Sequence, residues 1–167
     1  MQMSDKREIE ADKATVWAAL LNPEVLKECV PGASEVTGSP EEGFEAVVTQ
    51  KVGPVKATFR GAVTVSNMVE QESLTLTGEG KGGAAGFAKG SADVRLTEAD
   101  GVTTLSYDVE AKVGGKLAQL GSRIVDGFAK KMADQFFARL EEVIEGPKEE
   151  DDAPEAEKKG WLKKLIS

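Results

Sequence analysis

The side chains that most often carry chemistry are scarce in this 167-residue chain. It contains no histidine, which removes imidazole acid–base catalysis, His-based triads and His-ligated metals. Cys29 is the sole cysteine, so an intrachain disulfide and a cysteine-cluster metal site are both excluded. With no imidazole to take its proton, Cys29 reads as a small buried hydrophobe rather than a nucleophile. The adjacent acids Glu41-Glu42 and Glu141-Glu142 fall on a turn and on a solvated helix end, and make no acid–base pair. Gly78, Gly80 and Gly83 match G-x-G-x-x-G. The residues after them alternate as a strand, however, where a dinucleotide fingerprint needs a helix N-terminus. Lys81 and Lys89 each precede glycine, so neither completes a phosphate-binding loop. The segment reads instead as a Gly-rich loop between strands, at a pocket mouth. No catalytic residue is assigned, and neither a metal nor a covalently bound cofactor is expected.

The C-terminus is more informative. Residues 149–157 hold six acids and no base, whereas residues 158–167 hold four lysines and no acid. The acidic run has too little apolar surface to offset its ordering entropy and is read as a disordered linker over 147–157. In the tip, 158–167, Trp161, Leu162, Leu165 and Ile166 recur at helical spacing, with Lys163 and Lys164 opposite and Lys158 and Lys159 ahead of them. That is the pattern of an in-plane amphipathic anchor on an anionic leaflet. Each base adds about 1 kcal/mol near such a surface, so the attachment is reversible. The bland alternative is a tail that docks on its own domain or on a protein partner.

The rest of the chain must supply whatever the tip carries. Residues 1–146 suit one soluble domain, with 16 bases against 23 acids; that balance excludes a general nucleic-acid surface. The N-terminus shows no apolar signal region, and no stretch approaches the ~18 apolar residues of a membrane span. The expectation is a cytoplasmic protein bound peripherally to the inner face of the cell membrane.

Residues 5–11 predict a first strand. Asp12 caps a helix over 13–21, Asn22-Pro23 stops it, and a second short helix follows over 24–28. Alternation then predicts strands over 43–52, 55–66, 73–78, 86–97 and 103–113. Gly53-Pro54 and Asp100-Gly101 mark tight hairpins. Residues 115–145 predict one long helix, with Leu117, Ile124, Val125, Phe128, Met132, Phe136, Leu140 and Val143 inward and Phe137 on the polar side. The economical assembly is an α+β fold in which a curved antiparallel sheet wraps its C-terminal helix. Gly121 and Gly127 thin the first half of that helix. They mark either close packing on the sheet or an intervening cavity, lined by Leu117, Leu120, Ile124, Phe128 and Met132, with Phe59 and Phe87 from the sheet.

Four runs are similar to a known family: CVPG (29–32), VGPVKATFRG (52–61), GEGKGGAAGFAKGSA (78–92) and VGGKLAQLGSRIVDGFAKKMADQFFARL (113–140). Over about residues 1–145 the chain resembles CoxG, a family of carbon monoxide dehydrogenase subunits within the START-like or SRPBCC superfamily. The resemblance implies a helix-grip fold around a hydrophobic cavity, and as partner a molybdenum hydroxylase of the carbon monoxide dehydrogenase type, docked at the membrane. Cavity and tip together point to a non-enzymatic adaptor whose cavity carries a quinone or other lipid. Two rivals remain open. One is a cyclase-like enzyme of the superfamily, with Tyr107 or Arg95 in the cavity; the other is a maturation chaperone for the hydroxylase.

Overall fold

The computed structural model describes residues 1–146; the linker and tip read from the sequence lie outside the described residues. Strand β1 (Gln2–Ile9) leads into helices α1 (Lys13–Leu20) and α2 (Pro23–Cys29). Asp12 accepts from the Thr15 N–H at 2.8 Å, and Asn22 accepts from the Glu24 N–H. Each cap satisfies a backbone donor that the first helical turn leaves unpaired. A meander follows: β2 (Ala33–Ser39), β3 (Gly43–Val52), β4 (Val55–Val69), β5 (Ser73–Lys81), β6 (Phe87–Ala99) and β7 (Val102–Gly114). All seven strands form one antiparallel sheet in the order β1-β7-β6-β5-β4-β3-β2. Helices α3 (Lys116–Gln119) and α4 (Ser122–Glu145) close the chain.

The hairpins form where turn chemistry demands them. Asp100 and Gly101 have φ of 55° and 79°, the doubly left-handed geometry that matches strand twist in a two-residue loop. The α+β helix-grip architecture read from the sequence is the observed one, with four local corrections. The first strand covers 2–9, not 5–11. A strand at 33–39 had no apolar alternation to announce it, because β2 is an edge strand with one neighbour. The Gly-rich loop is shorter than expected: Gly78 and Gly80 sit within β5, and only 82–86 form a loop, around a 3-10 turn at Gly83–Ala85. The expected single helix over 115–145 is broken at Gly121, whose φ of +91° cannot continue a right-handed helix.

The sheet curls tightly because its concave face lacks side chains along one diagonal. Gly90, Gly78 and Gly61 lie on neighbouring strands β6, β5 and β4. A Cβ on Gly90 would fall 2.3 Å from the Glu110 carbonyl oxygen, and one on Gly61 would fall 3.0 Å from that of Glu79. The curl brings α4 into contact with β1, β3, α1 and α2.

The two halves of α4 use different stripes. Its C-terminal half buries Phe137 and Leu140 into the main core with Ile9, Val16, Trp17, Leu74, Leu96, Leu105 and Tyr107. Phe137 is therefore not exposed, contrary to the helical-wheel placement. Its ring stacks on Tyr107 at 5.3 Å and meets Phe136 edge-on at 5.1 Å, with the Arg7 guanidinium 5.1 Å from its centroid. Arg7 points inward from an edge strand and bonds Asp134 on α4. That bond holds the Asp134 carboxyl below the ordinary carboxylate value. Val143, assigned inward by the sequence, is 40% exposed.

Candidate ligand cavity

The N-terminal half of α4 meets the sheet at the β3–β4 turn and leaves a space beside that contact. Between them lies a cavity of about 810 Å³, within the roughly 300–1,000 Å³ of small-molecule sites. Small residues make the space. Gly80, Ala88 and Ala111 face it from three adjacent strands, and Ala118, Gly121 and Ala129 from the helices. Close packing of the helix glycines on the sheet is not observed: a Cβ on Gly121 or Gly127 would meet nothing within 4 Å.

The larger lining side chains are apolar. Val48, Val52 and Phe59 come from the β3–β4 hairpin, Val109 and Val113 from β7, and Leu117, Val125, Phe128, Met132 and Phe136 from α3 and α4. Met1, Met3, Val30 and Pro31 also contribute. Polar groups are few: Gln50, which donates to the Pro31 carbonyl, with Lys112, Ser122 and Asp126.

Of the residues singled out from the sequence, Leu117, Phe128, Met132 and Phe59 line the cavity, and three others do not. Ile124 is 40% exposed on the outer side of α4, where it and Leu120 approach Gly53 of the β3–β4 turn. Phe87 is exposed and covers Gly114. Leu120 precedes the break at Gly121 and so lies outside α4, and Ile124 sits beside the Val125–Ala129–Met132–Phe136 stripe that lines the cavity rather than on it. The lining from β3 and β7 was legible as alternation, but alternation does not say which face is concave.

The enzyme candidates lie elsewhere. Tyr107 is buried in the main core, and Arg95 pairs at the surface with Asp108 at 2.9 Å. Cys29 is fully buried, and burial pushes its thiol up to about 11, so it is no thiolate at neutral pH. Among the described residues no group of three or more metal-binding side chains converges. No helix there is long and apolar enough to cross a membrane. The cavity can enclose an apolar molecule.

A curved antiparallel sheet gripping a long helix over an apolar cavity defines a START-like fold. Solved structures share it. The chain superposes on a START superfamily protein from Mycobacterium smegmatis with a TM-score of 0.64 at 15% identity, over 86% of this chain and 97% of that one. A protein from Chromobacterium violaceum gives 0.63 at 16% identity, over 89% and 99%. A conserved protein from Geobacillus kaustophilus gives 0.80 at 27% identity, over 86% and 95%. No curated protein matches the sequence significantly. The profile of CoxG, a carbon monoxide dehydrogenase subunit, matches residues 6–145, and the chain belongs to that family.

Proposed function

We propose that this chain is a non-enzymatic accessory protein. It brings a molybdenum hydroxylase of the carbon monoxide dehydrogenase type to the inner face of the cell membrane, and it holds a quinone or another apolar ligand in its cavity. Family membership supports the partner, since the family is named as a subunit of that enzyme. The observation that carries the ligand is the cavity itself, walled by aliphatic and aromatic side chains and without a set of residues arranged for catalysis. The Ser122 hydroxyl is a donor of the kind a quinone carbonyl accepts from.

The test is mass spectrometry of the full chain, purified gently from a quinone-containing host and compared in native and denatured form. A stoichiometric apolar adduct is the expected result, and extraction identifies it. Ala129→Phe places a ring in the cavity and should weaken retention about tenfold or more, matching the ~1–3 kcal/mol typical of overpacking. A protein that comes out empty and takes up neither quinone nor lipid would leave the cavity without a role.

Membrane attachment through the tip is read from sequence. Replacing Trp161 and Leu165 with serine keeps every lysine but removes two apolar anchors, each worth roughly 1.5–3 kcal/mol when buried. Co-sedimentation with anionic liposomes should fall by more than about tenfold. Undiminished binding would assign the tip to a protein contact.

A further inference from the structure

Among the described residues, Gln50 is the polar side chain that stands within the apolar wall of the cavity. Val48, Gln50 and Val52 alternate onto the concave face of β3, and Phe59 lies opposite Val48 on β4. Gln50 is half-buried there, close to the buried Val52 and Pro31. The other polar lining residues are placed differently. Ser122 and Asp126 are exposed in the first turns of α4. Lys112 stands between Ala111 and Val113, which both line the cavity, so strand alternation turns its ammonium to the opposite face of the sheet.

The Gln50 amide is held in one orientation. Its Nε2 donates to the Pro31 carbonyl. A carbonyl oxygen only accepts, so the amide cannot be turned over to put Oε1 in that place. The backbone beside it is built for the contact. The Thr49 N–H donates to the Gly32 carbonyl at 3.0 Å, which holds the 30–32 segment against β3. Gly32 has a φ of +82°, and a Cβ there would fall 2.1 Å from the Thr49 carbonyl oxygen and 2.9 Å from the Gln50 Nε2. Glycine alone lets the chain pass that close. Oε1 is the atom left over. It has no hydrogen-bond partner among the described residues, and protein does not seal it off. A ligand that fills the cavity takes water away from this oxygen, and must either donate to it or leave it unpaired.

We propose that Gln50 is the specificity-determining residue of the cavity: its Oε1 accepts a hydrogen bond from a hydroxyl on an otherwise apolar ligand, so the cavity selects alcohols, phenols and hydroquinones over the matching ethers and quinones. The proposal rests on reading the cavity as a ligand site, and adds which chemical form that site holds. A hydroquinone hydroxyl donates to Oε1. A quinone oxygen has no hydrogen to give, and leaves Oε1 unpaired even where it meets the second N–H of Nε2. The Ser122 hydroxyl both donates and accepts, so it favours neither form. If the ligand is a quinone, the cavity retains its reduced form more tightly than its oxidised form.

The test measures the affinity of the full chain for farnesol and for farnesyl methyl ether by isothermal titration calorimetry. The two probes share one apolar body, and only the alcohol donates. The readout is the ratio of the two affinities. Gln50→Leu removes the acceptor at nearly unchanged size, and the ratio should shift about fivefold toward the ether, the worth of one neutral hydrogen bond. The variant also loses the bond to Pro31. A purely structural role would weaken both probes alike and leave the ratio where it was. Gln50→Met, unbranched and of similar length, is read in the same way should the leucine variant fold poorly. 1,4-Naphthohydroquinone, kept reduced under dithionite, and 1,4-naphthoquinone should show a parallel shift.

A ratio that stays within about twofold of the parent in both variants would overturn the proposal. So would a shift of the same size in Ser122→Ala with none at Gln50, which would place the selection on α4. In either case both probes still bind the parent chain, and the cavity reading stands. Binding of neither probe to the parent is the different failure: it removes the cavity as a ligand site, and the role of Gln50 with it.

Discussion

Truncating Phe137 to alanine should cost about 3–5 kcal/mol, the range for deleting a buried aromatic side chain. The ring is 7% exposed and joins three elements: Tyr107 stacks on it from β7, Arg7 covers it from β1, and Phe136 abuts it within α4. Removing it opens a cavity in the main core. It also strips the apolar support from a guanidinium whose hydrogen bond to Asp134 ties the edge strand β1 to the helix. Ile124→Ala is the counterpart. That residue has the same apolar character and the same helix, but it is 40% exposed, so its loss should stay under about 1 kcal/mol. Chemical denaturation of both variants checks the pair. Equal stability losses would contradict the orientation of α4 against the sheet.

The second large effect concerns the curl of the sheet. Gly90→Ala puts a methyl 2.3 Å from the Glu110 carbonyl oxygen and 2.9 Å from the Ala111 Cα. Both are backbone atoms of the adjacent strand, so β7 has to move rather than a side-chain tip. A loss of at least about 2 kcal/mol is expected, by the overpacking and strain that mark severe substitutions. Gly127→Ala is the opposite case. That glycine lies inside α4 with nothing within 4 Å of its would-be Cβ, so alanine should stabilise by up to about 1 kcal/mol. Thermal melts moving in opposite directions for the two variants are the signature. A Gly90→Ala protein as stable as the parent would show that the strands do not pack so closely there.

The same contrast separates what was legible in the sequence from what was not. The positions of β3 to β7 followed from period-two alternation, and hairpins from Gly53-Pro54 and Asp100-Gly101, because these signals depend on neighbours a few residues apart. Helix caps at Asp12 and Asn22 were equally local. The α+β class followed from the order of those elements, and the scarcity of catalytic groups from composition alone. The resemblance supplied the START-like fold and the family.

What depended on distant residues was misjudged. The sequence carried the thinning at Ala118, Gly121 and Gly127, and so the suspicion of a cavity, but not its walls. Leu120 and Ile124 had the composition of lining residues, yet both lie against the β3–β4 turn. Phe137 looked solvated on a helical wheel. A wheel assumes one buried stripe, whereas a helix enclosed by a curled sheet and two short helices buries more of its circumference. A linear sequence determined the local turns, periods and composition of this protein. The tertiary structure decided which faces look inward and which charges become neighbours, because the curl that sets both arises from backbone contacts between strands far apart in the chain.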